Sequence, residues 1–123
     1  AVKNESKIPV YGDGLNVRDW IYVKDSVKII YNILQGANFD RDVYNITFRD
    51  EKTNMEVIES ILGYFNLYIR DHVEYVPDRL GHDSRYSITN SKMMQFVDFQ
   101  KTNFQKGLED TIKEYFKEGY PCL

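Results

Sequence analysis

Segments with strand character alternate with segments of helical periodicity, and this alternation limits the possible fold more than any other feature. Residues Ile8 to Tyr11 and Trp20 to Val23 are rich in β-favouring side chains and flank a Gly-Asp-Gly turn. Two later segments, Asp42 to Phe48 and His72 to Pro77, have the composition of short strands. With helical segments between them, the pattern predicts a mixed α/β fold of about four short strands and four helices.

The first two helices are each marked by a cap residue and an apolar stripe. Asp25 is the expected N-cap of the first helix, which Gly36 ends, and Thr53 or Asn54 is the expected cap of the second. Apolar residues at helical spacing predict which faces are buried. These residues are Val27, Ile30, Tyr31 and Leu34 in the first helix, and Val57, Ile58, Ile61, Leu62 and Phe65 in the second.

Two more helices are predicted towards the C-terminus. Thr89 or Asn90 is expected to cap a short helix, and Gly119 to close the last one. One face of the last helix carries apolar residues, namely Phe104, Leu108, Ile112, Tyr115 and Phe116. A chain of 123 residues without internal repeats or long linkers is expected to form one domain over residues 1–123.

Charge and cysteine content exclude several classes of function. The net charge of −3 argues against a nucleic-acid partner or an anionic membrane surface, because both require a broad basic face. With one cysteine, Cys122, and two histidines, neither a disulfide nor a metal site is expected. No segment approaches roughly 18 consecutive apolar residues, so no membrane span is expected and the cytoplasm is the predicted location.

Three polar segments concentrate hydrogen-bond donors. They are "VYGDGLNVRDW" with Arg18, "EKTN" with Asn54, and "VPDRLGHDSRY" with Arg79, His82 and Arg85. Arginine binds phosphate oxygens in pairs, and a helix start attracts anions, so together the segments predict a groove for a phosphorylated ligand. The simpler alternative is a solvated surface on which Asp13 or Asp19 pairs with Arg18, while Asp78 and Asp83 neutralise the other arginines.

The sequence carries no complete catalytic apparatus. It lacks a G-x-G-x-x-G dinucleotide turn, a Walker-type phosphate loop, a G-x-S-x-G elbow and an H-E-x-x-H pair. No tyrosine is followed by a lysine four positions later. No catalytic, cofactor-binding or metal-binding residue is therefore predicted for this chain.

The quoted segments resemble a known family. "IPVYGDGLNVRDWIYVKD", "VYNI" with "EKTNMEVI", and "DRLGHDSRYSITNSK" are similar, in order from about Lys7 to Tyr115, to the C-terminal part of nucleotide-sugar 4,6-dehydratases. These are extended short-chain dehydrogenase/reductases that act on dTDP-glucose or UDP-glucose. The Gly-Asp-Gly to Arg-Asp-Trp segment is shared with epimerases, whereas the D-R-x-G-H-D-x-R-Y segment is narrower and indicates the dehydratases.

The resemblance implies a substrate site and a cofactor. By position, Arg18, Arg79 and His82 would contact phosphate or ribose oxygens, Asn54 would lie at the diphosphate, and Pro9 and Tyr11 would border the pyrimidine of a dTDP- or UDP-sugar. In the family, NAD oxidises the sugar at C4, water is eliminated across C5–C6, and the hydride returns to C6. The residues for that chemistry belong to an N-terminal Rossmann half, so this chain alone is expected to be inactive and to bind no NAD.

The chain also departs from the family pattern. Thr47-Phe48 replaces the glycine pair usual after "YNI", and Val97-Asp98-Phe99 replaces "LGW". Three alternatives therefore stay open: a non-catalytic sugar-nucleotide module or subunit of a split enzyme, the substrate part of a 4-epimerase, and a packing partner without ligand. Without a Rossmann half, apolar residues such as Ile30, Leu34, Ile58 and Leu62 would be exposed, which predicts that the isolated chain self-associates or is only marginally stable. The sequence does not distinguish thymine from uracil, or identify the sugar.

Overall fold

The computed structural model describes residues 6–36 and 42–117. These residues form two compact units, one built from the described parts of 1–19 and 51–87, the other from those of 20–50 and 88–123. The elements are, in chain order, β1 (Ile8–Tyr11), β2 (Val17–Asp19), α1 (Val23–Gly36), β3 (Glu51–Thr53), α2 (Asn54–Tyr64), α3 (Ile69–His72), β4 (Val73–Val76), a 3-10 helix (Met93–Phe96) and α4 (Phe104–Lys117).

The first unit contains two small sheets of two strands each. β1 pairs in parallel with β4, with Ile8 opposite Val73, and β2 pairs antiparallel with β3. Val10, Leu62 and Val73 form its buried cluster, and partly buried side chains from β1, α2 and α3 pack against that cluster. The strand predicted from His72 is therefore confirmed as Val73–Val76, and it ends immediately before Pro77.

Helix α2 begins with a capping box, and of the two predicted cap candidates, Thr53 and Asn54, Thr53 is the N-cap. The Thr53 hydroxyl accepts a hydrogen bond from the backbone N–H of Glu56, and the Glu56 carboxylate accepts one from the backbone N–H of Thr53. This reciprocal pair satisfies two donors that a helix start otherwise leaves without partners. Of the predicted stripe, Val57 and Leu62 are buried, and Ile58 is half-buried against the core of the unit. The expectation that Ile58 and Leu62 would be exposed is therefore wrong.

In the second unit, the start and the cap of α1 differ from the prediction. The helix begins at Val23, so the predicted strand over Trp20 to Val23 is wrong; the strand lies earlier, at Val17–Asp19. Asp25 does not cap the helix. Its buried carboxylate accepts hydrogen bonds from the backbone N–H and the hydroxyl of Thr102, at 2.7 and 3.0 Å.

The buried side of α1 is the side opposite to its apolar stripe. Ile29 is completely buried, whereas the predicted stripe is largely exposed, with Tyr31 at 61% and Leu34 at 52%. We call Val23, Val27, Ile30, Tyr31 and Leu34 the exposed face of α1. Exposure of Ile30 and Leu34 agrees with the expectation for a chain without a Rossmann half, although their predicted burial is wrong.

The segment from Asp42 to Phe48 is not a strand. All of its residues are described, and none takes part in a ladder. The backbone is held by side chains instead: the Thr47 carbonyl accepts a hydrogen bond from the Asn90 amide, and the Thr47 hydroxyl accepts one from the backbone N–H of Arg49. Thr47 is buried, so the residue that replaces the family's glycine holds this segment in place.

Both C-terminal elements agree in position with the prediction, and only the first differs in type. The short helix predicted after Thr89 or Asn90 is a 3-10 helix, and its N-cap is Lys92. Gly107 and Ile112 are the buried residues of α4, while Tyr115 and Phe116 are more than 40% exposed. The predicted stop at Gly119, like Cys122, lies outside the described residues.

No described helix has the length and apolar character needed to cross a membrane, and no described cluster of acidic, histidine or cysteine side chains could hold a metal.

Candidate functional site

A cleft of about 500 Å³ opens on the first unit. Cavities that hold small ligands commonly measure about 300–1,000 Å³. The lining residues come from β2, the start of α2 and the loop after β4: Arg18, Asn54, Arg79, Leu80, Gly81, His82, Asp83 and Tyr86. The structure thus brings together four of the six predicted site residues, with at least one from each of the three donor-rich segments.

Arg18 is held from several directions. Its guanidinium donates hydrogen bonds to the carbonyl oxygens of Val17 and Asp83, at 2.7 and 2.9 Å, and lies 4.4 Å from the centre of the Tyr86 ring. A third donor meets the Nε2 atom of His82 at 3.1 Å. A guanidinium has five N–H donors, so the contacts with described residues leave two for a ligand. The alternative that Arg18 pairs with Asp13 is not seen; Asp13 accepts from the backbone N–H of Leu15.

His82 connects Arg18 to Asp78. Its Nδ1 atom lies 2.7 Å from the Asp78 carboxylate, and its side chain is only 11% exposed. Because a guanidinium can only donate, Nε2 must accept and Nδ1 must carry the proton that goes to Asp78. Both ring nitrogens are therefore engaged within the protein. The hydrogen bond from His82 is the main cause that lowers the pKa of the Asp78 carboxyl from its usual 3.8.

Arg79 has a different environment. Its guanidinium stacks over the Tyr11 ring at 4.8 Å from the ring centre, and its side chain forms no ion pair with a described carboxylate. Asp78, its neighbour, binds His82 and accepts from the backbone N–H of Arg79 instead. After the hydrogen bonds from His82 and from the Arg79 backbone, the charge of Arg79 also helps to lower the pKa of the Asp78 carboxyl, so Asp78 offsets part of this charge without an ion pair. Arg79 lines the cleft.

Arg85 is removed from the site by an ion pair. Its guanidinium binds both carboxylate oxygens of Glu51, with three N–O distances between 2.8 and 3.0 Å. Arg85 also forms an isolated bridge with Val17, and the backbone N–H of Val17 donates to the carbonyl of Ser84. This end of the loop is fastened to β2 and β3, so Arg85 has a structural role.

The start of α2 offers side chains, not open backbone donors. The backbone N–H of Asn54 donates to Asn16, and that of Met55 donates to Gly14. Thr53 and Glu56 occupy each other in the capping box. The expectation of an anion site on exposed N–H groups at this helix start is therefore wrong, and Asn54 is the residue of α2 that lines the cleft.

The Gly-Asp-Gly turn makes room for the loop after β4. Gly12 and Gly14 both have positive φ, which glycine adopts without strain. A Cβ at Gly12 would lie 3.1 Å from the Asp78 carboxylate, and one at Gly14 would lie 2.7 Å from the Val10 side chain. The first motif therefore allows Asp78 to approach the backbone, which its spacing alone does not reveal.

Two predicted residues lie beside the cleft, and four lining residues, Leu80, Gly81, Asp83 and Tyr86, were not predicted. Tyr11 is at the end of β1 under Arg79, and Pro9 lies two positions earlier, so both point to the same face of that strand. Pro9 does not line the cleft. Tyr86 and Asp83 do line it, and a hydrogen bond to the Asp83 carboxylate raises the pKa of the Tyr86 hydroxyl. No local sequence signal separates them from ordinary loop residues.

Comparison with known proteins shows the family. Residues 1–111 match the sequence model of the GDP-mannose 4,6 dehydratase family. The chain belongs to this family of nucleotide-sugar 4,6-dehydratases. This confirms the resemblance noted in the sequence and its restriction to the C-terminal part of an extended short-chain dehydrogenase/reductase.

Individual relatives agree with that assignment. The chain is 36% identical to a dTDP-glucose 4,6-dehydratase of Haemophilus influenzae, over 88% of this chain and 35% of that protein. It is 38% identical to the low-salt glycan biosynthesis protein Agl12 of Haloferax volcanii, over 91% of this chain and 36% of that protein. The chain thus spans about a third of the length of the curated relatives it matches.

Solved dehydratases share the fold as well. A dTDP-glucose 4,6-dehydratase of Bacillus anthracis, solved in complex with NAD, is 40% identical with a TM-score of 0.81, covering 94% of this chain and 36% of that one. The DesIV dehydratase of Streptomyces venezuelae, also solved with NAD, gives a TM-score of 0.82 at 30% identity, over 96% and 36% of the two chains. A UDP-N-acetylglucosamine 4-epimerase of Methanobrevibacter ruminantium shares the fold at 24% identity and a TM-score of 0.82, over 96% and 37%.

Proposed function

We propose that this chain is the substrate-binding part of a nucleoside-diphosphate-glucose 4,6-dehydratase. It would hold the diphosphate and nucleoside of dTDP-glucose or UDP-glucose while an NAD-binding half outside this sequence converts the sugar to the 4-keto-6-deoxy product. The observation that carries the proposal is the cleft in which Arg18, Asn54 and Arg79 meet. The proposed setting is the cytoplasm, where a lone cysteine stays reduced.

The charges of the cleft support a diphosphate. Arg18 has two donors left by its described partners, and Arg79 has no ion-pair partner among the described residues. Two guanidinium groups can share the charge of two phosphates, each through paired hydrogen bonds. Asn54 adds a neutral amide, while Tyr11 offers an aromatic surface of the kind on which a base stacks. Pro9 extends that surface along β1.

NAD does not fit the described residues. A dinucleotide site needs a glycine-rich turn from strand to helix with open backbone N–H groups. The direct strand-to-helix junction here is Thr53–Asn54, where the backbone donors bind Glu56 and Asn16. No chemical step is therefore assigned to this chain, and the cofactor is proposed to bind a Rossmann-half partner or domain.

The dehydratase is favoured over the 4-epimerase and over a ligand-free packing partner. The dehydratases named above are 30–40% identical, whereas the epimerase shows the fold alone. A protein that only packs against a partner and binds no ligand has no need for an arginine such as Arg79, which lines an open cleft and has no ion-pair partner among the described residues.

Calorimetric titration of the chain with dTDP and UDP tests the proposal. We expect binding of at least one nucleotide, and a loss of roughly tenfold or more in affinity for Arg79→Ala, as for a lost charged hydrogen bond. Arg70→Ala is a matched control, because Arg70 also stacks on a tyrosine, Tyr68, but lies outside the cleft. Equal affinity for the wild type and Arg79→Ala would refute the proposed role of Arg79 in binding the diphosphate. No binding by a folded chain would refute the autonomous site.

A further inference from the structure

We propose that Asp78 is a positioning residue for nucleotide binding, and that it acts through His82 on Arg18. The inference rests on the proposed function and deepens it. It concerns a hydrogen-bonded chain in which the Arg18 guanidinium donates to Nε2 of His82 at 3.1 Å, and Nδ1 of His82 donates to Asp78 at 2.7 Å. In this arrangement His82 orients the arginine and does not itself contact the ligand.

The direction of each hydrogen bond follows from chemistry. An arginine has no acceptor, so the bond to Arg18 requires an unprotonated Nε2. The remaining ring proton is then on Nδ1, where the Asp78 carboxylate accepts it. A neutral histidine free in solution does not favour the Nδ1–H tautomer, and its ring can rotate. The Asp78 carboxylate is therefore the group that selects this tautomer and fixes the ring orientation.

The surroundings of Asp78 are built to hold it there. The same carboxylate oxygen accepts from the backbone N–H of Arg79 at 2.8 Å, and the absent side chain of Gly12 leaves space for it. Gly12 and Arg18 come from the first donor-rich segment, whereas Asp78 and His82 come from the third. The carboxylate therefore sets the relative positions of the two segments that carry the cationic groups.

Simple electrostatics makes the opposite prediction, which gives the proposal a sharp test. Asp78 is an anion close to a proposed anion site, so removing its charge should strengthen nucleotide binding if it has no positioning role. If it positions Arg18, Asp78→Ala should weaken dTDP or UDP binding by roughly fivefold to tenfold, the equivalent of one lost hydrogen bond. Asp78→Asn loses the same charge but keeps an acceptor oxygen, so it should recover part of that loss.

The control is Asp13→Ala. Asp13 is an exposed carboxylate that accepts a backbone N–H in the neighbouring turn, as Asp78 does, but it does not touch His82 or line the cleft. It removes the same charge and the same kind of loop hydrogen bond, and we expect affinity within about twofold of wild type. Binding by Asp78→Ala that equals or exceeds that of the wild type would overturn the proposal.

A double-mutant cycle separates positioning from direct contact. If His82 acts only as the link, Asp78→Ala and His82→Ala are not additive, and the double variant binds about as weakly as His82→Ala alone. If His82 contacts the ligand directly and Asp78 acts independently, the two losses add. Additive losses would overturn the proposal.

A readout without ligand keeps this test independent of the proposed function. Nitrogen-15 NMR of the imidazole rings, assigned with His72→Gln, should show His82 in the wild type as the neutral Nδ1–H tautomer at pH 7.5 and lose that signature in Asp78→Ala. An Nε2–H tautomer in the wild type would overturn the positioning chain. A wild type that shows the Nδ1–H tautomer but binds neither nucleotide would instead refute the proposed function.

Discussion

Gly14 and Gly81 have nearly the same backbone conformation in very different surroundings. Their φ angles are +73° and +74°, a region that costs other residues about 1 kcal/mol or more. A Cβ at Gly14 would lie 2.6 Å from the Met55 side chain and 2.7 Å from that of Val10, whereas nothing lies within 4 Å of one at Gly81. The two positions therefore separate backbone strain from packing.

We predict that Gly14→Ala lowers the free energy of unfolding more than Gly81→Ala does. Both substitutions carry the conformational cost, and Gly14→Ala adds roughly 1–3 kcal/mol because Val10 is buried in β1 and cannot move aside easily. Urea unfolding followed by circular dichroism measures the difference. Equal losses at the two positions would show that the packing around Gly14 relaxes freely.

At the residue scale, the sequence predicted which donor-rich segments come together but not the contacts of each arginine. Arg18, Asn54, Arg79 and His82 meet at one cleft, as the three motifs indicate. Arg85 has the same local context as Arg79, yet it is paired with Glu51, 34 positions earlier. Such long-range pairs leave no periodic signal, and the same applies to the role of Gly12 beside Asp78.

At the element scale, the prediction of the start of α2 was reliable because its capping depends on residues close in the sequence. The predictions of buried faces and strands were less reliable because they depend on contacts between distant residues. The cap of α2 was predicted to be Thr53 or Asn54, and the structure shows Thr53 with its partner, Glu56, only three residues away. Helix α1 has apolar residues on both sides, so its pattern does not reveal which side the second unit covers. The strand predicted over Asp42 to Phe48 failed because its apolar composition provides no pairing partner, and the Asn90 amide binds its backbone instead.

The capping box of α2 predicts a pH dependence of stability. The hydrogen bonds from Thr53 hold the pKa of the Glu56 carboxyl below its usual 4.5, the backbone N–H having the largest effect. A carboxyl with a lowered folded-state pKa stabilises the fold fully above its unfolded pKa, and that contribution is lost as the pH falls through the folded value. Stability should therefore decrease below about pH 4.5, in part through this helix start.

Glu56→Gln isolates the contribution of the box. Glutamine keeps an acceptor oxygen but does not titrate, so the variant should be less stable than the wild type near pH 7 and should approach it near pH 3. Thermal unfolding at a series of pH values provides the comparison. A difference between the two proteins that does not change with pH would contradict the prediction.

At the scale of the whole molecule, the exposed face of α1 is an extended apolar surface. Five apolar side chains, each at least 47% exposed, lie along one side of a 14-residue helix: Val23, Val27, Ile30, Tyr31 and Leu34. An apolar stripe on a helix normally packs against another part of the protein. Contiguous exposed apolar surface of this kind favours association.

We predict that the isolated chain self-associates through this face. Sedimentation velocity should show a concentration-dependent increase in mass, which Tyr31→Glu reduces by placing a charge within the face. Tyr68→Glu is the matched control, because Tyr68 is similarly exposed, at 66% against 61% for Tyr31, but lies on the first unit. A monodisperse wild-type monomer that melts cooperatively would contradict the prediction.

The first unit has a consequence for how its cleft is assembled. Arg18 precedes residues 20–50, while Asn54, Arg79 and His82 follow them, so the chain must close around that intervening segment before the cationic groups can meet. Closing such a loop costs conformational entropy, and contacts between distant segments form late in folding. A diphosphate that bridges Arg18 and Arg79 would act as a reversible cross-link, so nucleotide concentration would set both occupancy and the persistence of the closed chain.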